Sequence, residues 1–174
     1  MNAKTAVAAP FAAAFAAQAA FCAAKPTKSQ LEWADCEIGV IIHQDVQVYV
    51  PSYEDHADTN VPPASVFNPS ALDTDQWLET AKAAGAKYAV LVAKHCSAHD
   101  YSVASSPWKG GKGDVVADFI ASCRKYGIKP GLYASTGRNN YFGVSDLKVG
   151  YKTIPDGKWN RYRELVRTQL TELW

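Results

Sequence analysis

Residues 87–95 read KYAVLVAKH, an unbroken apolar run bounded by lysines and closed by a histidine. A continuous apolar stretch of this length predicts a strand covered on both faces, as in parallel sheets. Just upstream, Asp73 or Thr74 can cap a helix over 75–84, with Trp77, Leu78, Ala81 and Ala84 at helical spacing and Gly85 as the stop. Further upstream, CEIGVIIH (36–43) repeats the pattern of a buried strand ending in histidine. The connection from Gln44 to about Ser70 is rich in Pro, Asp and Asn, and its length marks it as functional or mobile rather than a simple connection. Downstream, Asp114 can cap a helix over 115–126 that carries Val116, Phe119, Ile120 and Cys123 on one face and stops at Gly127. IKPGLYAS (128–135) is a third strand, and a third helix runs from about Lys158 to Trp174. Strand and helix alternate three times, which predicts an α/β protein of parallel βα units with right-handed crossovers.

Three such units do not close an eight-stranded barrel, which typically needs about 250 residues. The chain ends inside an amphipathic helix at Leu173-Trp174, with neither a cap nor a following strand. The expectation is a partial (β/α)8 barrel, its first three βα units only. The alternative, a three-stranded sheet covering itself, would leave apolar edges exposed.

The 174 residues are 48% apolar, with 18 Lys+Arg against 17 Asp+Glu and a net charge of +1. No charge excess points to nucleic acid or an anionic membrane surface. Residues 1–24 differ from the rest: Lys4 is followed by an Ala/Phe-rich run with small residues at possible cleavage points after Ala19 or Ala24. That pattern predicts a signal peptide ahead of a mature region over 25–174, and hence a secreted or periplasmic protein with no membrane association after cleavage. Phe21 is too bulky for lipoprotein processing at Cys22, and no other segment could span a bilayer.

In parallel α/β proteins, side chains converge at the C-terminal ends of the strands. Here those positions hold His43, then Lys94-His95-Cys96, then Tyr133 to Thr136. A lone strand-end histidine is most simply a hydrogen-bonded structural group, whereas two at equivalent ends of successive strands suggest a shared polar pocket. His95 and Cys96 are adjacent and so point to opposite faces of an ideal strand, which argues against a nucleophilic pair made from these two. A thiol enzyme using His43 and Cys96 has no orienting third residue, and a zinc site from His43, His95 and Cys96 has no regular spacing. Neither metal nor cofactor is expected. Glu54 and Asp55, beside Tyr53 and His56, could accept hydrogen bonds from a polyol, although a solvated loop charge is the simpler account. KGGKGD (109–114) lacks phosphate-loop spacing and follows no strand directly. The aromatics Trp108, Tyr133, Tyr141, Phe142 and Trp159 suit stacking on a sugar face or packing under long loops equally well. The four cysteines, at 22, 36, 96 and 123, are too sparse for a disulfide framework.

GVIIH (39–43), SVFNPSALDTDQW (65–77), AKAAGAKYAVLVAKH (81–95), the DYSV…SPWK…GD…GLY block over 100–135 and the closing TQLTELW together resemble the N-terminal half of the glycoside hydrolase family 29 α-L-fucosidases. The resemblance runs from about Ser29 to Trp174. It implies a (β/α)8 catalytic barrel that removes terminal α-L-fucose from glycans by a retaining, two-carboxylate mechanism without a metal or cofactor. By the same resemblance His43 and His95 hydrogen-bond the fucose hydroxyls; Cys96, at the position next to His95, and Glu54 and Tyr133, from their own chemistry and place in the chain, are further candidate substrate-binding residues. The partner is then a fucosylated glycan or oligosaccharide.

This sequence departs from the family pattern in four places. Cys96 stands where family members commonly carry a second histidine. An aromatic stretch expected before Asp100-Tyr101 is missing after Ser97-Ala98-His99. ASTG (134–137) replaces a bulkier strand ending. The family's nucleophilic Asp and its acid/base residue fall beyond Trp174, so the 174 residues alone are expected to be inactive. The competing expectations are a non-catalytic fucose-binding module and a fragment too unstable to fold.

Overall fold

The computed structural model describes residues 24–44, 48–52, 62–95, 108–140, 142, 144 and 156–174. The chain divides into two compact units, Met1–Asp35 and Cys36–Trp174.

In the first unit the described structure is helix α1, Lys28–Ala34. Thr27 caps it and forms a reciprocal box with Gln30: Gln30 N donates to Thr27 Oγ1 at 3.3 Å, and Thr27 N donates to Gln30 Oε1 at 2.7 Å. Two otherwise orphaned backbone donors are thereby satisfied. No periodicity in the sequence announces this helix.

The second unit is built on three strands, β1 (Gly39–Ile42), β2 (Tyr88–Lys94) and β3 (Lys129–Ala134), in the order β1-β2-β3 and all parallel. Helix α2 (Thr74–Ala83) connects β1 to β2, and α3 (Val115–Tyr126) connects β2 to β3. Helix α4 (Asp156–Leu173) follows β3. The three predicted strands and three predicted helices are present, each within a few residues of its expected bounds. Local chemistry sets those bounds. The Asp73 side chain accepts from Gln76 N at 3.1 Å, and that of Asp114 accepts from Ala117 N at 2.9 Å, so each helix start has its cap. Gly127 ends α3 in the left-handed region, φ 68°, where a Cβ would be strained.

The core lies on one face of the sheet. Leu78 and Ala81 of α2, Phe119 and Cys123 of α3, and Ala89 and Leu91 of β2 form a buried cluster with Ala86 and Ile128. Val40, Ile42 and Leu132 pack against it from the flanking strands. Residues paired across parallel strands share a face, so the alternate set (Gly39, Ile41, Tyr88, Val90, Val92, Gly131 and Tyr133) points to the other side. There Ile41 is 66% exposed. The expectation of burial on both faces is therefore corrected for β1, while β2 meets it, with Tyr88 and Val90 half-buried and Val92 buried on the face opposite Ala89 and Leu91. A continuous apolar run reads the same whether one or two faces are buried.

Helix α4 carries a second cluster, in which Tyr162 and Val144 are buried with Phe142, Trp159 and Val166 around them. The Tyr162 hydroxyl donates to the carbonyl of Thr136, tying α4 to the segment that leaves β3.

Candidate active site

The C-terminal ends of the three strands bring together His43, His95 and Tyr133. The imidazoles of His43 and His95 meet edge to face, with ring centroids 5.4 Å apart and planes at 77°. The His95 and Tyr133 rings lie 6.3 Å apart at 39°. His43 and Tyr133 are exposed and His95 is half-buried, so the group faces outward from the sheet ends. Glu54 and Cys96 lie outside the described residues, as do Tyr141 and residues 1–23.

That His95 faces His43 depends on an irregularity in β2. Val92 pairs with Tyr133, yet Lys94 pairs with Ala134, so Ala93 is an extra residue opposite no partner. A β-bulge of this kind reverses the alternation of side chains beyond it. In an unbroken strand His95 would share a face with Ala89 and Leu91, which lie in the helix-side core. The bulge sends Lys94 to Ala134's side and His95 to Tyr133's side.

Beside His43 lies a cleft of about 380 Å³ lined by Gln44, Tyr49, Asn68, Ser70 and Trp77, among others. Gln44 Nε2 donates to the Tyr49 hydroxyl at 3.1 Å. Partial burial pushes the Tyr49 hydroxyl above the usual phenol value, against the opposing pull of the Gln44 hydrogen bond. Sequence reasoning missed Gln44, Tyr49 and Asn68. Gln44 is simply the chain neighbour of His43, and no spacing marks Tyr49 and Asn68, which tertiary structure brings to the same cleft. Two larger cavities, of about 710 and 790 Å³, run along α4, and neither described histidine lines them.

The aromatic candidates separate by role. Trp108 is buried, sits edge to face on Phe67 with centroids 6.2 Å apart, and lies against Gly113, where a Cβ would come within 2.1 Å of the indole. Phe142 and Trp159 pack on Tyr162. These three are packing residues, and of the aromatics singled out in the sequence Tyr133 is the described one beside the histidines. In KGGKGD, Lys109 and Gly110 adopt left-handed conformations and Lys109 pairs with Asp118 at 2.7 Å. Among the described residues, no group of three or more His, Cys, Asp or Glu is placed to hold a metal, and no helix is long and apolar enough to cross a membrane.

Imidazole and phenol groups each donate and accept hydrogen bonds, as sugar hydroxyls do, and their rings offer apolar edges to C–H groups. Parallel βα units with such a group at the strand ends define an α/β protein with a polar cluster at the C-terminal end of its sheet. The family model described as α-L-fucosidase matches residues 22–174, and the chain belongs to that family. It is 31% identical over 156 residues to α-L-fucosidase 1 of Arabidopsis thaliana, an alignment covering 85% of this chain and 28% of the relative. It also resembles the crystal structure of a glycoside hydrolase 29 family member from an unknown rumen bacterium, at 39% identity and a TM-score of 0.57, over 65% of this chain and 21% of that one. A glycoside hydrolase 29 α-L-fucosidase from Bacteroides thetaiotaomicron shares the fold at 20% identity and a TM-score of 0.65, over 86% of this chain and 38% of that one. The chain thus spans 28% of the length of its Arabidopsis relative.

Proposed function

We propose that this chain forms the first three βα units of a (β/α)8 α-L-fucosidase barrel, and that His43, His95 and Tyr133 face a terminal α-L-fucose on a glycan. The observation that carries it is the edge-to-face pair of His43 and His95 at the ends of neighbouring parallel strands. Two imidazoles at that spacing can donate to and accept from adjacent sugar hydroxyls, fixing the sugar by its hydroxyl pattern. Among the described residues β3 pairs on one side only, with β2, and Leu132, Ala134, Leu170 and Leu173 line an apolar cavity between β3 and α4, which supports a sheet that continues into a barrel.

Retaining hydrolysis needs a carboxylate nucleophile and a carboxyl acid/base about 5–5.5 Å apart. In this proposal both belong to the parts of the relatives that the chain does not match, so residues 1–174 by themselves bind fucose without cleaving it. Glu54 and Cys96 complete the proposed sugar contacts. Residues 1–24 act as a cleaved signal peptide, which makes the protein secreted or periplasmic.

Titration of the 174-residue chain with L-fucose, followed by calorimetry and histidine NMR, tests the site. Saturable shifts of the His43 and His95 ring resonances, with no release from an aryl α-L-fucoside above buffer, are expected. A folded sample whose histidines do not respond overturns the sugar assignment, and turnover by pure chain overturns the division of labour.

A further inference from the structure

Lys94 is a buried lysine immediately before His95, with 7% of its surface exposed. Its ammonium donates to the backbone carbonyls of Ser135 and Arg138, in the segment that leaves β3. Its own carbonyl accepts from Ser135 N at 2.9 Å. Lys94 is thus fastened to that segment through both backbone and side chain, at the residue that follows the bulge. Bulges are uncommon between parallel strands, and the extra residue leaves a ladder position unpaired.

We propose that Lys94 is a positioning residue that locks the Ala93 bulge and thereby turns His95 toward His43 and Tyr133. Two pairings are open to the end of β2. In the regular one Ala93 sits opposite Ala134, Lys94 falls on Tyr133's face, and His95 turns toward the helix-side core. In the bulged one Lys94 sits opposite Ala134 and reaches the carbonyls of Ser135 and Arg138. The regular pairing regains the lost ladder position but leaves those carbonyls without the ammonium and brings an imidazole to an apolar layer. Hydrogen bonds from a charged donor are the stronger kind, and an unsatisfied polar group in an apolar layer is costly, so both terms favour the bulge. The side chain at 94 therefore decides which face the side chain at 95 presents.

The consequence for sugar binding rests on the function proposed above; the geometric claim does not, and the two are read separately. In the intact chain, lysine-side-chain NMR is expected to show a slowly exchanging Lys94 ammonium with through-hydrogen-bond correlations to the Ser135 and Arg138 carbonyl carbons. Their absence overturns the proposal. In Lys94→Met the ring-to-ring NOE between His43 and His95, recorded without sugar, is expected to vanish. Deleting Ala93 in that background removes the extra residue and lets a regular strand present His95 to the same face, so the NOE is expected to return. A lysine that merely braces the fold would not be rescued by shortening the strand. An NOE retained in Lys94→Met, or not restored by the deletion, overturns the proposal. If Lys94→Met does not fold, the wild-type correlations and the deletion variant still decide. Fucose affinity is expected to fall about two- to tenfold in Lys94→Met, as for one lost hydrogen bond. Loss of the NOE with no change in fucose binding would count against the sugar site and leave the positioning role standing.

Discussion

The His43 and His95 rings touch edge to face across β1 and β2, 5.4 Å between centroids, although the two residues are more than fifty positions apart in sequence. If each imidazole holds a separate fucose hydroxyl, His43→Ala and His95→Ala are expected to weaken binding by about 0.5–1.5 kcal/mol each. Because the rings are in contact, the double variant is expected to depart from the sum of the singles. Calorimetric titration of the three variants checks this, and affinities equal to wild type would remove both residues from the site.

Asp75, in the first turn of α2, accepts from Ser122 Oγ at 2.6 Å and pairs with Lys125, both on α3. The Lys125 ammonium first, and the Ser122 hydroxyl second, hold its carboxyl below the ordinary value. A carboxyl lowered by folding adds stability above its unfolded pKa, about 3.9, and loses that contribution as pH falls through the lowered folded value. Asp75→Asn is therefore expected to lower Tm at neutral pH, with the difference closing below about pH 4. The pair is open to solvent, so the difference is small and shrinks with added salt. A Tm difference that does not change with pH would refute the assignment.

Gly113 lies against the buried indole of Trp108, and a Cβ there would stand 2.1 Å from Trp108 Cε3. Trp108 is held in turn by Phe67, so the ring has little room to move away. Gly113→Ala is expected to cost about 1–3 kcal/mol, as over-packing of an interior does. Urea denaturation measures it, and an unchanged midpoint would mean that Trp108 is held more loosely than its burial indicates.

Much of this architecture is legible in sequence because it is written in local chemistry. Asp73, Asp114 and Gly127 mark helix ends by side-chain capping or by a left-handed glycine, and these signals act within a few residues. The box formed by Thr27 and Gln30 is equally local, yet α1 is short and carries none of the apolar periodicity that would draw attention to it. The strand-end histidines follow from topology alone. The bulge does not, since Ala93 carries no distinguishing side chain and the register emerges only when β2 meets β3. Tyr49 and Asn68 are likewise brought to His43 by tertiary structure, which no spacing encodes.

The sheet face opposite the core exposes 66% of Ile41, and Tyr133 on the same face is 45% exposed. With β3 paired on one side to β2, the chain carries apolar surface and an edge of a kind that promotes association. Sedimentation of the 174-residue chain is expected to show self-association that grows with concentration and weakens in Ile41→Lys. A monomer at all concentrations would indicate that this face is covered in solution.

Cys123 sits on α3 with none of its surface exposed, among Leu78, Phe119 and Ile128. Burial disfavours the thiolate and pushes the thiol up to about 11. At pH 8 about one molecule in a thousand then carries the thiolate, which is the reactive form. The native chain is therefore expected to resist alkylation at Cys123 while unfolded chain is modified readily. Residue-specific mass spectrometry after brief iodoacetamide treatment, with and without urea, separates the two states. Because α3 lies against β2 and β3 through this layer, the protection of Cys123 also reports whether the βα core is closed around it. Rapid native labelling would place the helix away from the sheet, and with it the frame that aligns His95 and Tyr133.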